Sequence, residues 1–190
     1  MSELMKTREL QAKVVTDMFL AVDQDSIEAL VDLIMDADRI FVSGWGRAGN
    51  VGRILGMNMS QLGRVVFCVG DNNTPAITDK DLLIICSGSG NTKTISLIAQ
   101  QAKDHGAKVA LMSFNGADST MGKIADVNVH IPRITRDELE AQGAKPYEGG
   151  ALGEVFYNAA FMLNDFITTC VMKRTGQTFE DIIRNHNSLE

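Results

Sequence analysis

The sequence predicts an α/β fold, with helices on both faces of a five-stranded parallel sheet. Three observations carry that prediction. Short apolar runs and segments of helical period alternate from Arg39 to Ile131, the pattern of a parallel sheet with right-handed crossovers. Two of those runs end in glycine-rich loops that open directly into helices. The chain of 190 residues, 45% hydrophobic and 22% charged, is long enough for one domain with a full core.

Taken in order, Leu4, Leu10, Val14, Val15, Met18, Phe19 and Val22 recur at three- and four-residue spacing, so Glu3 to Val22 reads as an amphipathic helix. A second helix is predicted from an N-cap at Asp25 or Ser26 through Ile27, Leu30, Val31, Leu33, Ile34 and Met35 to Ala37. Arg39 to Ser43 is the first strand, and Arg47 to Leu62 returns to helix. Glycines at 49, 52 and 56 lower the helix propensity of that segment and point to close packing. Strands follow at Arg64 to Val69, Leu82 to Cys86, Lys108 to Ser113 and Asp126 to Ile131, with a loop from Gly70 to Pro75. Between them, Thr92 to His105 is a helix stopped by Gly106, and Ser119 to Ala125 is predicted as a short one. Thr135 to Gly150, charged and holding Pro146 and three glycines, reads as a loop at the active end or at a subunit contact. A long helix from Ala151 to Arg174 and a short one from Phe179 to Asn185 close the chain, and no internal repeat is visible.

Charge and cysteine usage exclude several classes. A net charge of −6, with no Lys or Arg run, offers no field for nucleic acid. Cys68, Cys86 and Cys170 are odd in number, lie in apolar segments and lack C-x-x-C spacing, so buried thiols in a reducing, cytoplasmic setting are expected rather than disulfides or zinc. No apolar run reaches the roughly 18 to 20 residues that span a bilayer, and no signal pattern opens the chain, so a soluble protein without a membrane partner is expected.

The stretch Asp81 to Thr94, DLLIICSGSGNTKT, carries the most chemistry. A buried strand delivers the chain to a helix N-terminus, where unpaired N–H groups and the helix dipole favour an anion. Ser87, Ser89 and Thr92 add hydroxyls, and the glycines admit close approach of a ligand. The loop is not a P-loop, because Thr92 stands where a glycine must precede Lys93. Gly44, Gly46 and Gly49 spell G-x-G-x-x-G after the first strand, with Asp71 beyond the second. Read alone, this is a dinucleotide fingerprint, but two helices precede the first strand and the Ser87 loop goes unexplained, so a dehydrogenase is the minority reading. Arg47 inside the motif fits a charged group aimed at a phosphate or a sugar hydroxyl, or an exposed helix residue.

The two loops, Gly44-Trp45-Gly46-Arg47-Ala48-Gly49 and Ser87-Gly88-Ser89-Gly90-Asn91-Thr92, together with the tail IIRNHNSLE, resemble the sugar isomerase (SIS) domain, and specifically the 6-phospho-3-hexuloisomerases, over essentially the whole chain. The resemblance implies an αβα sandwich assembled as a homotetramer, with a phosphorylated sugar as ligand and neither metal nor redox cofactor. It implies that Ser87, Ser89 and Thr92, in a loop completed by Gly88 and Asn91, hold the phosphate, with Gly46 and Arg47 contributing from the first loop. The implied reaction interconverts 3-hexulose 6-phosphate and fructose 6-phosphate through an enediol, which calls for a base, an acid and support for negative charge.

The chain departs from that pattern where the family carries its glutamate. In Ala151-Leu152-Gly153-Glu154-Val155-Phe156-Tyr157, Tyr157 stands at the glutamate position and Glu154 lies three residues earlier, on nearly the same helical face. Glu154 is therefore the candidate base, weighed against simple compensation of a helix dipole. Ala48 replaces a serine common in the first loop. His186 matches a tail histidine that, in the family, reaches a neighbouring subunit's active site, and its ordinary pKa range suits proton shuttling. His105 and His130 read as structural, and Trp45 as a wall of the pocket or an interface residue. A sugar-phosphate-binding protein that has lost its base is the second reading, which Tyr157 would report.

Overall fold

The computed structural model describes residues 2–143, 155–186, 188 and 189. The chain runs α1 (Glu3–Leu20), α2 (Gln24–Asp36), β1 (Ile40–Ser43), α3 (Gly46–Gln61), β2 (Val66–Cys68), β3 (Leu82–Cys86), α4 (Lys93–Asp104), β4 (Lys108–Ser113), a 3-10 turn (Gly116–Asp118), β5 (Val127–His130), α5 (Arg136–Ala141), α6 (Val155–Thr175) and α7 (Phe179–Asn185). All strand pairs are parallel, in the order β2-β1-β3-β4-β5. This is the predicted five-stranded sheet.

Alternation along the strands divides the core in two. Ile40, Val42, Leu82, Ile84, Cys86, Ala110 and Met112 face a cluster built with α1, α2, α3 and α6. Phe41, Leu83, Ile85, Val109 and Leu111 face the other side, where α4 supplies Ile95, Ala99 and Ala102. A strand buried on both faces must be apolar at every position, which is why Leu82 to Cys86 reads as a continuous run. Because α3 and α4 lie on opposite faces, the strand order reverses between β1 and β3. Ligands of open α/β sheets bind at that reversal, beyond the carboxyl ends of the strands. At the other ends of the same two strands, Arg39 donates to Asp81 through Nε (2.8 Å) and Nη2 (2.6 Å), and the Thr78 N–H and hydroxyl also donate to Asp81.

Four local expectations are corrected. The second helix begins a turn earlier, capped by Asp23, whose carboxylate accepts from Ser26 N–H at 2.8 Å. Ser119 to Ala125 forms turns instead of a helix. The Ser119 hydroxyl donates to Gly116 O and accepts from Gly122 N–H, competing with the backbone ladder. Within the expected loop from Thr135, a capping box formed by Thr135 and Glu138 starts the helix α5. Finally, α6 is 21 residues long with a window of mean hydropathy 1.2, enough by length and composition to cross a bilayer. Here it is the central helix of its layer, burying Val155, Phe156, Ala159, Ala160, Leu163, Ile167 and Val171.

Candidate functional site

A cleft of about 940 Å³ opens at the reversal between β1 and β3. Its walls come from Gly44 to Gly46, Asn50 and Arg53 on one side, and from Thr92, Thr94 and Ile95 on the other. Trp45 stands at its mouth, 77% exposed. Two helix N-termini meet there. Neither Trp45, the N-cap of α3, nor Thr92, the N-cap of α4, makes a side-chain capping bond. By contrast α1, α2 and α5 are capped by Ser2, Asp23 and Thr135. The first-turn N–H groups of α3 and α4 are thus left for a ligand, and both dipoles present their positive ends to the cleft.

The first loop owes its shape to close backbone packing. A Cβ on Gly44 would lie 2.7 Å from the Cys86 carbonyl oxygen and 2.9 Å from Gly49. Only glycine at both positions lets the loop settle onto the end of β3, which gives the G-x-G-x-x-G spacing a structural reason of its own. Gly46 follows with φ +59° as the first residue of α3, and it lines the cleft. Arg47 extends to the flank formed by α6, its guanidinium 4.7 Å from the Tyr157 ring centroid.

Hydrogen bonds hold the second loop. Ser87 is buried, its N–H donating to Met112 O and its Oγ accepting from Gly90 N–H at 3.2 Å. Gly90 has φ +66°, and its Cα packs so tightly on Ser119 that a Cβ would stand 2.3 Å from Oγ. Asn91, expected to touch the ligand, is exposed, and its amide is engaged by neighbouring loop groups. Its Oδ1 accepts from Thr120 N–H (2.8 Å) and Thr120 Oγ1 (2.9 Å), and its Nδ2 donates to Ser89 O (3.0 Å). Asn115 Nδ2 donates to the same Ser89 carbonyl at 2.9 Å. Gly88 is half-buried beneath Phe114, whose N–H donates to Gly88 O at 3.0 Å.

Gly46, Arg47, Ser87, Gly88, Ser89, Asn91 and Thr92 therefore gather at one end of the sheet. Glu154 lies outside the described residues and immediately precedes Val155, the first residue of α6. His186 stands elsewhere. It caps the C-terminal end of α7 and lines a groove with Gln61, Phe179 and Ile183. Asn185 Nδ2 binds Gln61 O at 2.9 Å, at the far end of α3. A helix of 16 residues is about 24 Å long, so His186 sits at the opposite end of the sheet from its own chain's cleft. His105 ends α4, and His130 Nε2 pairs with Phe114 O at 2.9 Å.

Sequence reasoning missed Arg53, Asn115 and Thr120. Arg53 Nη2 binds Asp71 Oδ1 at 2.9 Å across the cleft edge, and that hydrogen bond holds the Asp71 carboxyl below its ordinary 3.8. Asn115 and Thr120 follow β4, so their place at a strand's carboxyl end was the available signal. The thiol of Cys86, between the two loops, is pushed up to about 12 by burial, which keeps it protonated and inert at neutral pH.

The sequence model of the SIS domain matches residues 33–142. An uncharacterized protein of Archaeoglobus fulgidus is 33% identical over 172 residues, covering 89% of this chain and 90% of that protein. The 3-hexulose-6-phosphate isomerase of Mycobacterium gastri is 31% identical over 176 residues, 93% of this chain and 86% of that enzyme. Among solved structures, a Methanococcus jannaschii protein, whose crystal structure infers a molecular function of 3-hexulose-6-phosphate isomerase, superimposes with TM-score 0.77 at 25% identity, covering 100% of both chains.

Proposed function

The chain belongs to the SIS domain family, and on that premise we propose that it interconverts 3-hexulose 6-phosphate and fructose 6-phosphate. It is a phosphosugar isomerase, the activity shared by its named relatives. The observation that carries the reading is the meeting of two uncapped helix N-termini at the reversal of strand order, with Thr92 in the wall of the cleft and Ser87 and Ser89 on the loop that precedes it. That arrangement suits a dianionic phosphate at one end of the ligand. The cleft volume of about 940 Å³ leaves room for a six-carbon chain beyond it.

The reaction moves a carbonyl between neighbouring carbons without net oxidation. A base removes the proton from the hydroxyl-bearing carbon, and the electron pair flows to the adjacent carbonyl oxygen, giving an enediolate. Reprotonation at the former carbonyl carbon, with the hydroxyl proton exchanged between the two oxygens, yields the isomer. Glu154 is assigned as the base. Arg47 and the N–H groups of α3 and α4 supply positive potential for the phosphate and the enediolate. His186 is assigned as the acid of a neighbouring copy, since its own cleft is a sheet's length away. Exposed Leu4 and Met5 on α1 and Phe161 and Met162 on α6 favour the association that this sharing requires, with a homotetramer as the form the family resemblance implies.

A coupled assay tests the reading: 3-hexulose 6-phosphate is supplied, and fructose 6-phosphate formation is followed for the wild type, Ser87→Ala, Glu154→Gln and His186→Ala. Each variant is expected to lose at least a hundredfold in kcat/KM. Mixing Glu154→Gln with His186→Ala subunits should restore part of the activity, because some shared sites are then intact. Tyr157 at the glutamate position favours a second reading, sugar-phosphate binding without turnover. A wild type that binds fructose 6-phosphate but never converts it would establish that reading instead.

A further inference from the structure

The α3 wall of the cleft carries polar side chains beyond those a phosphate needs. Gly46, Gly49, Asn50 and Arg53 all line it, and their i, i+3, i+4, i+7 spacing marks one face of the helix. Asn50 is exposed, and among the described residues its amide makes no hydrogen bond. Arg53 is engaged in part: Nη2 donates to Asp71 Oδ1 at 2.9 Å and Nη1 to Asp71 Oδ2 at 3.3 Å. A guanidinium carries five N–H donors, and this pair uses two of them.

Asp71 is itself held in place. It lies in the turn after β2, where the Thr74 hydroxyl donates to Cys68 O and to Asp71 O, each at 2.7 Å, and the Thr74 N–H donates to Asp71 O at 3.0 Å. The turn sets the carboxylate at the cleft edge, and the carboxylate sets the guanidinium. Across from Asn50 and Arg53, the cleft is lined by Ile95 and Ile98 of α4 and by Val69. A sugar offers hydroxyl oxygens and C–H groups together, so a cleft with a polar wall and an apolar one suits it.

Distance and charge say which end of a sugar phosphate this wall meets. Arg53 follows Gly46 by seven residues, about 10 Å along the helix axis, and long helical side chains lean back toward the N-terminus. With the phosphate at the N-termini of α3 and α4, a six-carbon chain laid along α3 brings its far hydroxyls to Asn50 and Arg53. The Arg53 hydrogen bond keeps the Asp71 carboxyl below its ordinary 3.8, hence ionised at neutral pH. The pair is then neutral as a unit. Hydroxyl groups gain donors from it without repulsion, whereas a second phosphate would meet the Asp71 carboxylate as a like charge.

We propose that Asn50 and Arg53, the arginine positioned by Asp71, form the subsite for the hydroxyl end of the sugar, and that Asp71 makes the cleft select a sugar monophosphate over a bisphosphate. The inference rests on the phosphosugar reading above and adds to it the group that must be absent from the far end of the substrate.

The test compares three probes, fructose 6-phosphate, fructose 1,6-bisphosphate and inorganic phosphate, by isothermal titration on the wild type, Asn50→Ala, Arg53→Ala and Asp71→Asn. Circular dichroism and thermal melts check that each variant is folded. Arg53→Ala should weaken fructose 6-phosphate about tenfold, as expected for losing hydrogen bonds from a charged donor, and leave the Kd for inorganic phosphate unchanged. Asn50→Ala should weaken the sugar phosphate about fivefold, again without effect on inorganic phosphate. Asp71→Asn should narrow the preference for the monophosphate over the bisphosphate about tenfold, because the arginine is then free to meet the second phosphate. Equal losses for fructose 6-phosphate and inorganic phosphate in Arg53→Ala would place that residue at the phosphate and overturn the subsite, as would unchanged affinity for both. A monophosphate to bisphosphate ratio unaltered by Asp71→Asn would overturn the selection. Turnover separates these failures from failure of the functional reading. A wild type that converts no 3-hexulose 6-phosphate yet shows these Kd shifts loses its reaction and keeps the subsite, whereas full turnover without the shifts keeps the reaction and loses the subsite.

Discussion

The two loops that enclose the cleft follow neighbouring strands and lead into helices of similar role, yet they are held by different physics. Gly44 to Gly49 is shaped by backbone against backbone, with Gly44 lodged between Gly49 and the Cys86 carbonyl. Ser87 to Thr92 is shaped by polar groups recruited from the segment after β4, the Asn115 amide and the Thr120 N–H and hydroxyl, with Ser119 packed against Gly90. At Gly44 and Gly49 the first arrangement admits no added atom. The second is also tight at Gly90, but it depends in addition on hydrogen bonds that stand ready before any ligand arrives. An anion site built this way spends little of its binding energy on ordering the loop.

Breaking the first loop should have the largest effect. Gly44→Ala places a methyl group 2.7 Å from a backbone oxygen that cannot move without shifting β3. We expect about 3 kcal/mol lost in urea unfolding at unchanged m-value, and no ligand binding. A loss under about 0.5 kcal/mol, the range of an ordinary surface change, would show that packing does not define this loop. Breaking the second loop should cost less stability and more function per unit of stability. Asn91→Ala removes three hydrogen bonds, and we expect about 1 to 2 kcal/mol of stability with a roughly tenfold weaker Kd for fructose 6-phosphate. Unchanged affinity in isothermal titration would mean that the loop needs no such support.

The smallest effect sharpens the comparison at the rim of the first loop. Asp71 sits below its ordinary 3.8 because Arg53 donates to it, with charge attraction adding in the same direction. A carboxylate with a depressed folded pKa stabilises the fold above its unfolded value, and that contribution disappears as pH falls through the folded one. Wild type should therefore melt slightly above Arg53→Ala near about pH 6, and the two should converge below about pH 3. Both side chains are half-exposed, so added salt should also shrink the difference. A gap that widens in acid would contradict the assignment.

How much of this was legible in the sequence depends on how local each signal is. The run Leu82 to Cys86 and the helical spacing of α3 and α4 were readable because burial on two faces, or on one stripe, writes itself into consecutive residues. The cap at Asp23 was masked by equally good cap residues at Asp25 and Ser26. The Thr135 and Glu138 capping box was present as a four-residue pattern but lay in a charged stretch that read as loop. Ser119 to Ala125 has helical composition, and only the fold shows the Ser119 hydroxyl bonding Gly116 O and Gly122 N–H, with Gly122 so close to the Gly116 carbonyl that a Cβ would lie 2.0 Å from it.

For the site, the sequence by itself determined the parts: a strand ending at Cys86, a Ser/Gly/Thr loop at a helix N-terminus, a second glycine loop, and a tyrosine where a glutamate was expected. The first three are statements about neighbouring residues that local sterics and periodicity suffice to make, and the fourth comes from the resemblance to the SIS family. The tertiary structure decided what the parts do to one another. It tied the Asn91 amide to Thr120, set Arg47 on Tyr157, placed Gly88 against Phe114 and Tyr157, and put His186 at the far end of the sheet. Each of those outcomes joins residues about 30 to 125 positions apart, and such contacts are chosen by packing over the whole core, which no local pattern encodes.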